Sequence, residues 1–289
     1  MGWIRRILGQ PAAGADEAPR PRVTGAPSDV AARNPLDLWH IATCDAFGTL
    51  ALAPTREPAA VLDVACGTGL WARDVARLFP EARVVGFDSN AAQIDKALEE
   101  GAWRGNDLLP HNCIFERGDA LAPWPYPDAA FDYTHARFVS PFLPIELIPD
   151  FIGEMLRVTR PGGWIELVET MQFDAQESAR DYLLRCLRLV YENSGLSLEP
   201  GQLLERHLRG LSLRGVRSRA VAVHAGADDP VLRRIGDDLV AGMLDAAPLY
   251  ASLGLTTGDD LARVERELAA GHGDPTIRII IQGMWAQRP

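Results

Sequence analysis

Between residues 59 and 171 the chain alternates apolar, strand-like runs with segments of helical period, and this alternation limits its fold more than any other feature. The strand-like runs are AAVLDVA, ARVVGFD, NCIFERGD, FDYTHARFV and GGWIELVETM. Strands that alternate with helices favour parallel pairing through right-handed crossovers. The sequence therefore predicts an α/β protein with a doubly wound sheet.

Helices are predicted before and between these strands. One helical period covers residues 34–54, ahead of the first strand. The next helix runs from about Leu70 to Phe79, where Pro80 ends it, and another covers residues 90–103. A further helix is expected over residues 144–161, and Pro161 is predicted to terminate it because proline cannot continue a helix.

The second part of the chain has a different pattern. Residues 174–214 are mostly helical in period, and two more helices are predicted around 229–247 and 257–271. The strand-like segments VRSRAVAVHAG and TIRIIIQGMWAQ bracket that later pair. We predict one domain over residues 36–289, with helical cap insertions at about 174–214 and 229–271 above the ligand.

Residues 1–35 are predicted to be a mobile N-terminal leader, because residues 11–35 are rich in Ala, Pro, Gly and Arg and contain little that could build a core. The first segment, MGWIRRILGQP, reads either as a frayed terminus or as a short amphipathic helix that docks on a neighbouring subunit. Whether the chain is a homo-oligomer is left open.

Charge and cysteine content exclude several classes of protein. The formal net charge of −10 opposes nucleic-acid binding, which depends on Lys and Arg contacts to phosphate. No apolar run approaches the roughly 20 residues that span a bilayer, so no membrane span is expected. The four cysteines lie far apart, which predicts no metal site and favours a reducing, cytoplasmic location.

The segment VLDVACGTGLW, residues 61–71, is the strongest candidate for a ligand-binding turn. Gly67 and Gly69 let the backbone approach a ligand closely, with amides and a helix N-terminus available as donors. Residues 67–72 fit G-x-G-x-x-A, the dinucleotide pattern. The turn alone fits both NAD(P)-dependent dehydrogenases and enzymes that use S-adenosylmethionine.

Three acids lie in or just after the first three predicted strands, and the first of them bears on the choice between these two groups of enzymes. Asp63 sits within an apolar strand, where a carboxylate is costly unless something satisfies it. It would repel a pyrophosphate, whereas S-adenosylmethionine carries an amino group and a sulfonium. Asp88 lies nineteen residues beyond Gly69 and suits ribose hydroxyls in either group, or a helix N-cap. Asp119 suits an adenine amino group or a simple turn.

Four segments in order, VLDVACGTG, VVGFDSN, GDALAPWPYPDAAFDY and LRVTRPGGWIELVE, carry a specific resemblance. Over about residues 36–170 the chain resembles the class I S-adenosylmethionine-dependent methyltransferases, in particular those that act on small molecules. The resemblance implies a Rossmann-like, seven-stranded sheet whose last strand, IIIQGMWAQRP, runs antiparallel in a hairpin at the sheet edge. It also implies S-adenosylmethionine as the cofactor.

The resemblance assigns cofactor contacts to Asp63, Ala65, Gly67, Gly69, Asp88, Ser89, Asp119, Ala120 and His135. Ala65 replaces the first glycine of the family pattern. His135 is expected just past the fourth strand, where the methyl group meets the substrate, as a catalytic base or a structural residue. Candidate substrate contacts are His40, Arg137 and Tyr182, with core packing as the alternative for His40 and a surface ion pair for Arg137.

These features predict methyl transfer, at oxygen or carbon, to a small-molecule acceptor, either a secondary metabolite or a lipid-like molecule. Transfer by direct displacement depends on positioning and needs a base only when the nucleophile is a weakly acidic hydroxyl. The chain reads YTHARF where amide and base nitrogen methyltransferases carry an Asn-Pro-Pro-Tyr type of motif. An NAD(P)-dependent oxidoreductase would need a Tyr-x-x-x-Lys pair, but Lys96 is the only lysine. A regulatory protein that binds S-adenosylmethionine without transferring its methyl group stays open.

Overall fold

The computed structural model describes residues 34–99, 109–271 and 274–289. The predicted leader, residues 1–35, lies outside the described residues except for its last two positions. The C-terminal part of the helix predicted over residues 90–103 also lies outside them from residue 100 onward.

Seven strands form one sheet in the order β3-β2-β1-β4-β5-β7-β6. The first five pair in parallel, whereas β7 runs antiparallel to both of its neighbours. The strands are β1 (Ala60–Val64), β2 (Arg83–Asp88), β3 (Cys113–Arg117), β4 (Phe131–Arg137), β5 (Thr159–Ala175), β6 (Arg214–Ala225) and β7 (Ile277–Gln287). The predicted Rossmann-like, doubly wound α/β sheet with an antiparallel last strand is confirmed.

The last strand forms an antiparallel pair with β6 at the sheet edge, as the resemblance implies. β7 lies between β5 and β6, so β6 is the edge strand. The side chains explain this order, because β7 is apolar and almost entirely buried. In contrast, β6 exposes Arg214, Arg217 and Arg219, and charged side chains of this kind protect an edge from pairing with another chain.

Nine helices within the described residues cover the sheet. They are α1 (Pro35–Phe47), α2 (Leu70–Leu78), α3 (Ala91–Leu98), α4 (Ile148–Val158), α5 (Ser178–Asn193), α6 (Gly201–Gly210), α7 (Pro230–Asp245), α8 (Ala247–Ser252) and α9 (Gly258–Ala270). Local capping fixes several of their ends. The Asn34 side chain accepts a hydrogen bond from the Leu36 amide at the start of α1, and Gly48 ends that helix in the left-handed conformation.

The end of α4 differs from its prediction. The helix stops at Val158 rather than at Pro161, and a 3-10 turn precedes it over Ile145–Leu147. Thr159 already belongs to β5, where it pairs with Phe131, and its hydroxyl donates to the carbonyl of Met155 at 2.7 Å. Sheet pairing at Thr159 therefore terminates the helix before the proline is reached.

The core lies on both faces of the sheet. On one face α4 and α6 pack over the centre of the sheet, with Leu62, Ile152 and Leu167 among the buried residues. On the other face α1, α2, α5 and α7 pack, and α1 and α2 lie beside the β1–α2 connection. The helices predicted at 174–214 and 229–271 are present as α5 to α9, and their role as a cap over the ligand stays a prediction.

Candidate functional site

The connection from β1 to α2 is a turn with three left-handed residues among five. Ala65, Gly67 and Gly69 have φ values of 54°, 57° and 72°. Glycine adopts this conformation freely, but for alanine it costs about 1–2 kcal/mol. At Gly69 a Cβ atom would lie 2.4 Å from the Phe115 ring, so close packing also requires glycine there. The turn thus leads β1 directly into the N-terminus of α2, and its residues 65–68 are half-buried.

Asp88 closes β2 directly beside this turn. Its Oδ2 accepts a hydrogen bond from the Gly67 amide at 2.9 Å, and its Oδ1 accepts one from the Asn90 amide at 2.8 Å. Asn90, not Asp88, is the N-cap of α3. Ser89 is exposed between them. Carboxylate oxygens accept more than one hydrogen bond, so Asp88 keeps the capacity to receive ribose hydroxyls.

Asp63 is buried, with 2% of its surface exposed, and its partner is His135 on the neighbouring strand. The Asp63 Oδ1 lies 2.9 Å from the His135 Nδ1, whereas the Oδ2 is buried without a hydrogen-bond partner within the described residues. The His135 ring is 1% exposed and stacks on Trp71 with centroids 3.6 Å apart. His135 therefore lies inside β4, and its expected position just past the strand is wrong.

The adenine-side candidates follow β3 and lie next to Asp88. The Gly118 amide donates to the Asp88 carbonyl at 3.1 Å, which brings this segment beside β2. Asp119 is exposed and accepts a hydrogen bond from the Leu121 amide at 2.9 Å, while Ala120 is 7% exposed. The structure thus places Asp63, Asp88 and Asp119 along one edge of the sheet, at the carboxyl ends of β1, β2 and β3.

Helix α1 lies against the turn and is held there by polar contacts. The Thr68 hydroxyl donates to Asp37 at 2.6 Å, and His40 Nε2 lies 3.1 Å from Asp74 Oδ2 on α2. Burial alone disfavours the His40 cation, but Cys44 and Asp74 beside the ring leave its pKa raised. His40 is 1% exposed, so the structure shows it as a buried link between α1 and α2 rather than an open contact surface.

The two other candidate substrate contacts lie apart from each other. Tyr182 is on α5, where its hydroxyl donates to Thr256 at 2.8 Å and its ring lies 5.4 Å from the Arg263 guanidinium. Arg137 is the last residue of β4, two positions beyond His135, and is half-buried. In the part of the chain that the structure describes, Arg137 forms no side-chain hydrogen bond or ion pair, so the expected surface ion pair is not seen there.

Sequence reasoning did not single out two buried acids of β5. Glu166 accepts hydrogen bonds from the Leu52 and Ala53 amides, each at 2.7 Å, and from the Tyr133 hydroxyl at 2.8 Å. Glu169 accepts hydrogen bonds from the Val139 and Ser140 amides and so fixes the loop after β4. Both acids could have been found from the sequence, because they lie inside the apolar run WIELVET and a buried acid requires a partner.

The pH dependence of stability should report on Glu169. Burial raises the pKa of Glu169 from its ordinary 4.5 to about 7. Because the folded state then binds the proton more tightly than the unfolded state, stability falls as the pH rises between about 4.5 and 7. The glutamine in Glu169→Gln cannot ionise. The free energy of unfolding of this variant, relative to that of the wild type, should therefore be about 1–3 kcal/mol higher at pH 8 than at pH 5.

Urea unfolding of both proteins at the two pH values measures this difference. Glu146→Gln, at an exposed position, is the control and should leave the pH dependence unchanged. An identical pH dependence in Glu169→Gln and in the wild type would contradict the assignment of the raised pKa to this carboxyl.

Across residues 34–99, 109–271 and 274–289 no helix is both long and apolar enough to cross a membrane. Within the same ranges no group of three or more His, Cys, Asp or Glu side chains is arranged to hold a metal ion.

Comparisons with known proteins agree with this geometry. A family model described as "Methyltransferase domain" matches residues 61–163. N-methyltransferase verN of Clonostachys rogersoniana is 33% identical over 131 residues, which cover 43% of this chain and 42% of that protein. Methyltransferase str2 of Strobilurus tenacellus is 26% identical over 235 residues, covering 76% of this chain and 80% of that protein.

A third relative has a different description. The secondary metabolism regulator laeA of Monascus pilosus is 30% identical over 146 residues, which cover 50% of this chain and 36% of that protein. The chain spans about two-fifths of the length of the first curated relatives that it matches, 42% and 39%. The residues 61–163 that match the family model include the β1–α2 turn and the strands β2, β3 and β4.

Proposed function

We propose that this chain, whose residues 61–163 match a methyltransferase domain, is a class I S-adenosylmethionine-dependent methyltransferase that transfers the methyl group of that cofactor to a small-molecule acceptor. The observation that carries the proposal is the arrangement around the β1–α2 turn. The turn has left-handed residues at positions 65, 67 and 69, and it lies between the buried Asp63 and the strand-terminal Asp88.

The chemistry of this turn fits S-adenosylmethionine better than a dinucleotide. The buried Asp63 Oδ2 has no hydrogen-bond partner among the described residues, so it is available to a donor or a cation. A pyrophosphate beside it would be repelled, whereas an ammonium group would stabilise the carboxylate. Glycine at position 69 holds the shape of this turn, because its φ is +72° and a Cβ atom there would meet the Phe115 ring.

Each part of the site would hold a different part of the cofactor. Asp88 would accept from the ribose hydroxyls, and Asp119 with the Ala120 amide would face the adenine. The amides near Gly67 and Gly69 would lie along the methionine moiety. Bound S-adenosylmethionine supplies an electrophilic methyl group, and the protein's own residues position and desolvate the acceptor.

His135 is proposed as a positioning residue. Its ring is 1% exposed, stacks on Trp71 and contacts the Asp63 carboxylate, so it acts on the ligand through Asp63. A substrate with an acidic hydroxyl or a carbon nucleophile needs no protein base, which is compatible with a buried His135.

The acceptor is proposed to be a secondary metabolite. The description of laeA as a secondary metabolism regulator supports this class, whereas verN and str2 are described by methyl transfer alone. The description of laeA also supports a second function, a regulator that binds S-adenosylmethionine without transferring its methyl group. The two functions differ in one measurable property, the release of S-adenosylhomocysteine.

Methyl transfer tests the proposal directly. The protein is incubated with methyl-labelled S-adenosylmethionine and separate pools of small phenols, amines and acidic carbon compounds. The proposal predicts S-adenosylhomocysteine release that depends on one pool, together with a product heavier by one methyl group. Binding of S-adenosylmethionine with no transfer to any pool would favour the regulator, and transfer to nucleic acid alone would contradict the small-molecule class.

A further inference from the structure

We infer that Arg137 binds the α-carboxylate of the cofactor's methionine moiety, while the neighbouring Asp63 receives its α-amino group. The inference rests on the proposed function and deepens it. It also reassigns Arg137 from the substrate, where the sequence placed it, to the cofactor.

The register of the sheet places Arg137 beside the turn. β4 pairs in parallel with β1, with His135 opposite Asp63 and Ala136 opposite Val64, so Arg137 follows level with Ala65. Side chains alternate along a strand, and Arg137 therefore shares its face with His135. That is the face on which Trp71 of α2 covers His135.

The electrostatic neighbourhood places the guanidinium on the same side. The Arg137 charge acts on His40 and Cys44 of α1, the helix that closes over the turn. Thr68 in the turn contacts Asp37 of that helix at 2.6 Å. The Arg137 guanidinium therefore lies on the α1 side of the sheet, at the end of β4.

Two charged groups of opposite sign on this face keep unused hydrogen-bonding capacity, because the Asp63 carboxylate contacts His135 through Oδ1 alone. The Asp63 Oδ2 is buried without a hydrogen-bond partner, and Arg137 is half-buried without an ion pair, both counted over the described ranges. Charged groups withdrawn from water are costly unless they are paired. A bound ligand that carries both an anion and a cation would satisfy them together.

Their separation suits an α-amino acid group. Adjacent strands lie about 4.8 Å apart, and two residues along a strand add roughly 6.6 Å, so the two Cα atoms are about 8 Å apart. A short aspartate and a long arginine across this distance can contact the ammonium and the carboxylate of a single carbon. The methionine moiety of S-adenosylmethionine has this arrangement.

Calorimetric titrations with three ligands distinguish the contact of Arg137 with the carboxylate from the contact of Asp63 with the amino group. S-adenosylhomocysteine carries both charged groups, decarboxylated S-adenosylmethionine keeps only the amino group, and 5′-methylthioadenosine lacks both. We expect Arg137→Gln to weaken S-adenosylhomocysteine binding by about ten- to a hundredfold and to leave the other two ligands within about twofold. We expect Asp63→Asn to weaken the two amino ligands and to spare methylthioadenosine.

Two further variants keep the test interpretable. Arg217→Gln, at an exposed position of the edge strand, should bind all three ligands as the wild type does. Arg137→Lys keeps the charge but loses the bidentate geometry, so it should recover part of the affinity for S-adenosylhomocysteine. Thermal unfolding of each variant checks that the fold is retained.

Each outcome has a separate meaning. If Arg137→Gln binds S-adenosylhomocysteine normally but loses methyl transfer, Arg137 serves the substrate and the inference is wrong. An equal loss for all three ligands would show a structural role and would also overturn it. If the wild-type protein binds none of the three, the proposed function fails before this inference is tested.

Discussion

Replacement of Asp88 by alanine is expected to weaken S-adenosylhomocysteine binding by about a hundredfold or more. The variant would lose charge-assisted hydrogen bonds to the ribose, each contributing about 1.5–3 kcal/mol, and about 2.7 kcal/mol corresponds to a hundredfold change in affinity. It would also lose the 2.9 Å hydrogen bond that fixes the Gly67 amide, so the turn itself would be less well ordered. Isothermal titration calorimetry measures the change.

Matched variants separate ribose binding from a general effect of charge. Asp95→Ala removes an exposed acid from α3, seven residues further along the chain, and should bind the ligand normally. Asp88→Asn keeps the shape and one acceptor oxygen, so it should be intermediate. Undiminished affinity in Asp88→Ala would show that the ligand does not lie against the end of β2.

Gly69→Ala is expected to destabilise the fold by about 3 kcal/mol and to abolish cofactor binding. A left-handed alanine costs about 1–2 kcal/mol, and overpacking of a core typically costs about 1–3 kcal/mol more. The added Cβ would lie 2.4 Å from two Phe115 ring atoms and 3.0 Å from the Ala97 Cβ. Urea unfolding measures the loss, and calorimetry measures the binding.

Gly48 offers a control with the same backbone conformation and no clash. Its φ is +66°, and nothing lies within 4 Å of a Cβ built there, so Gly48→Ala should cost only the conformational term. Phe115→Leu in the Gly69→Ala background should recover part of the clash, as a double-mutant cycle would show. Equal losses at the two glycines would mean that contact with Phe115 does not matter.

The fold could be predicted largely from the sequence because its signals are local. Apolar runs and helical periods located β1, β2 and α2 within about a residue or two of their observed ends. The place of β7 between β5 and β6 could not be predicted in this way, since pairing partners distant in sequence leave no local signal. The end of α4 was misplaced because sheet pairing at Thr159 ends the helix before Pro161.

In the candidate site, too, residues with a local sequence signal could be predicted, whereas contacts between distant residues could not. Asp63, Gly67, Gly69 and Asp88 stand out because each is unusual in its own segment, an acid in an apolar run or a glycine in a turn. The contact of His135 with Asp63 depends on the register of β4 against β1, and that of Glu166 with Leu52 joins residues 114 positions apart. Such partners become visible only when the chain is folded.

The central claim is that the β1–α2 turn holds S-adenosylmethionine rather than a dinucleotide. Parallel calorimetric titrations of the wild-type protein with S-adenosylhomocysteine and with NADP test it most directly. We expect S-adenosylhomocysteine to bind with saturation at a single site and NADP to give no binding heat. Saturable NADP binding without S-adenosylhomocysteine binding would contradict the claim and would make the turn a dinucleotide site.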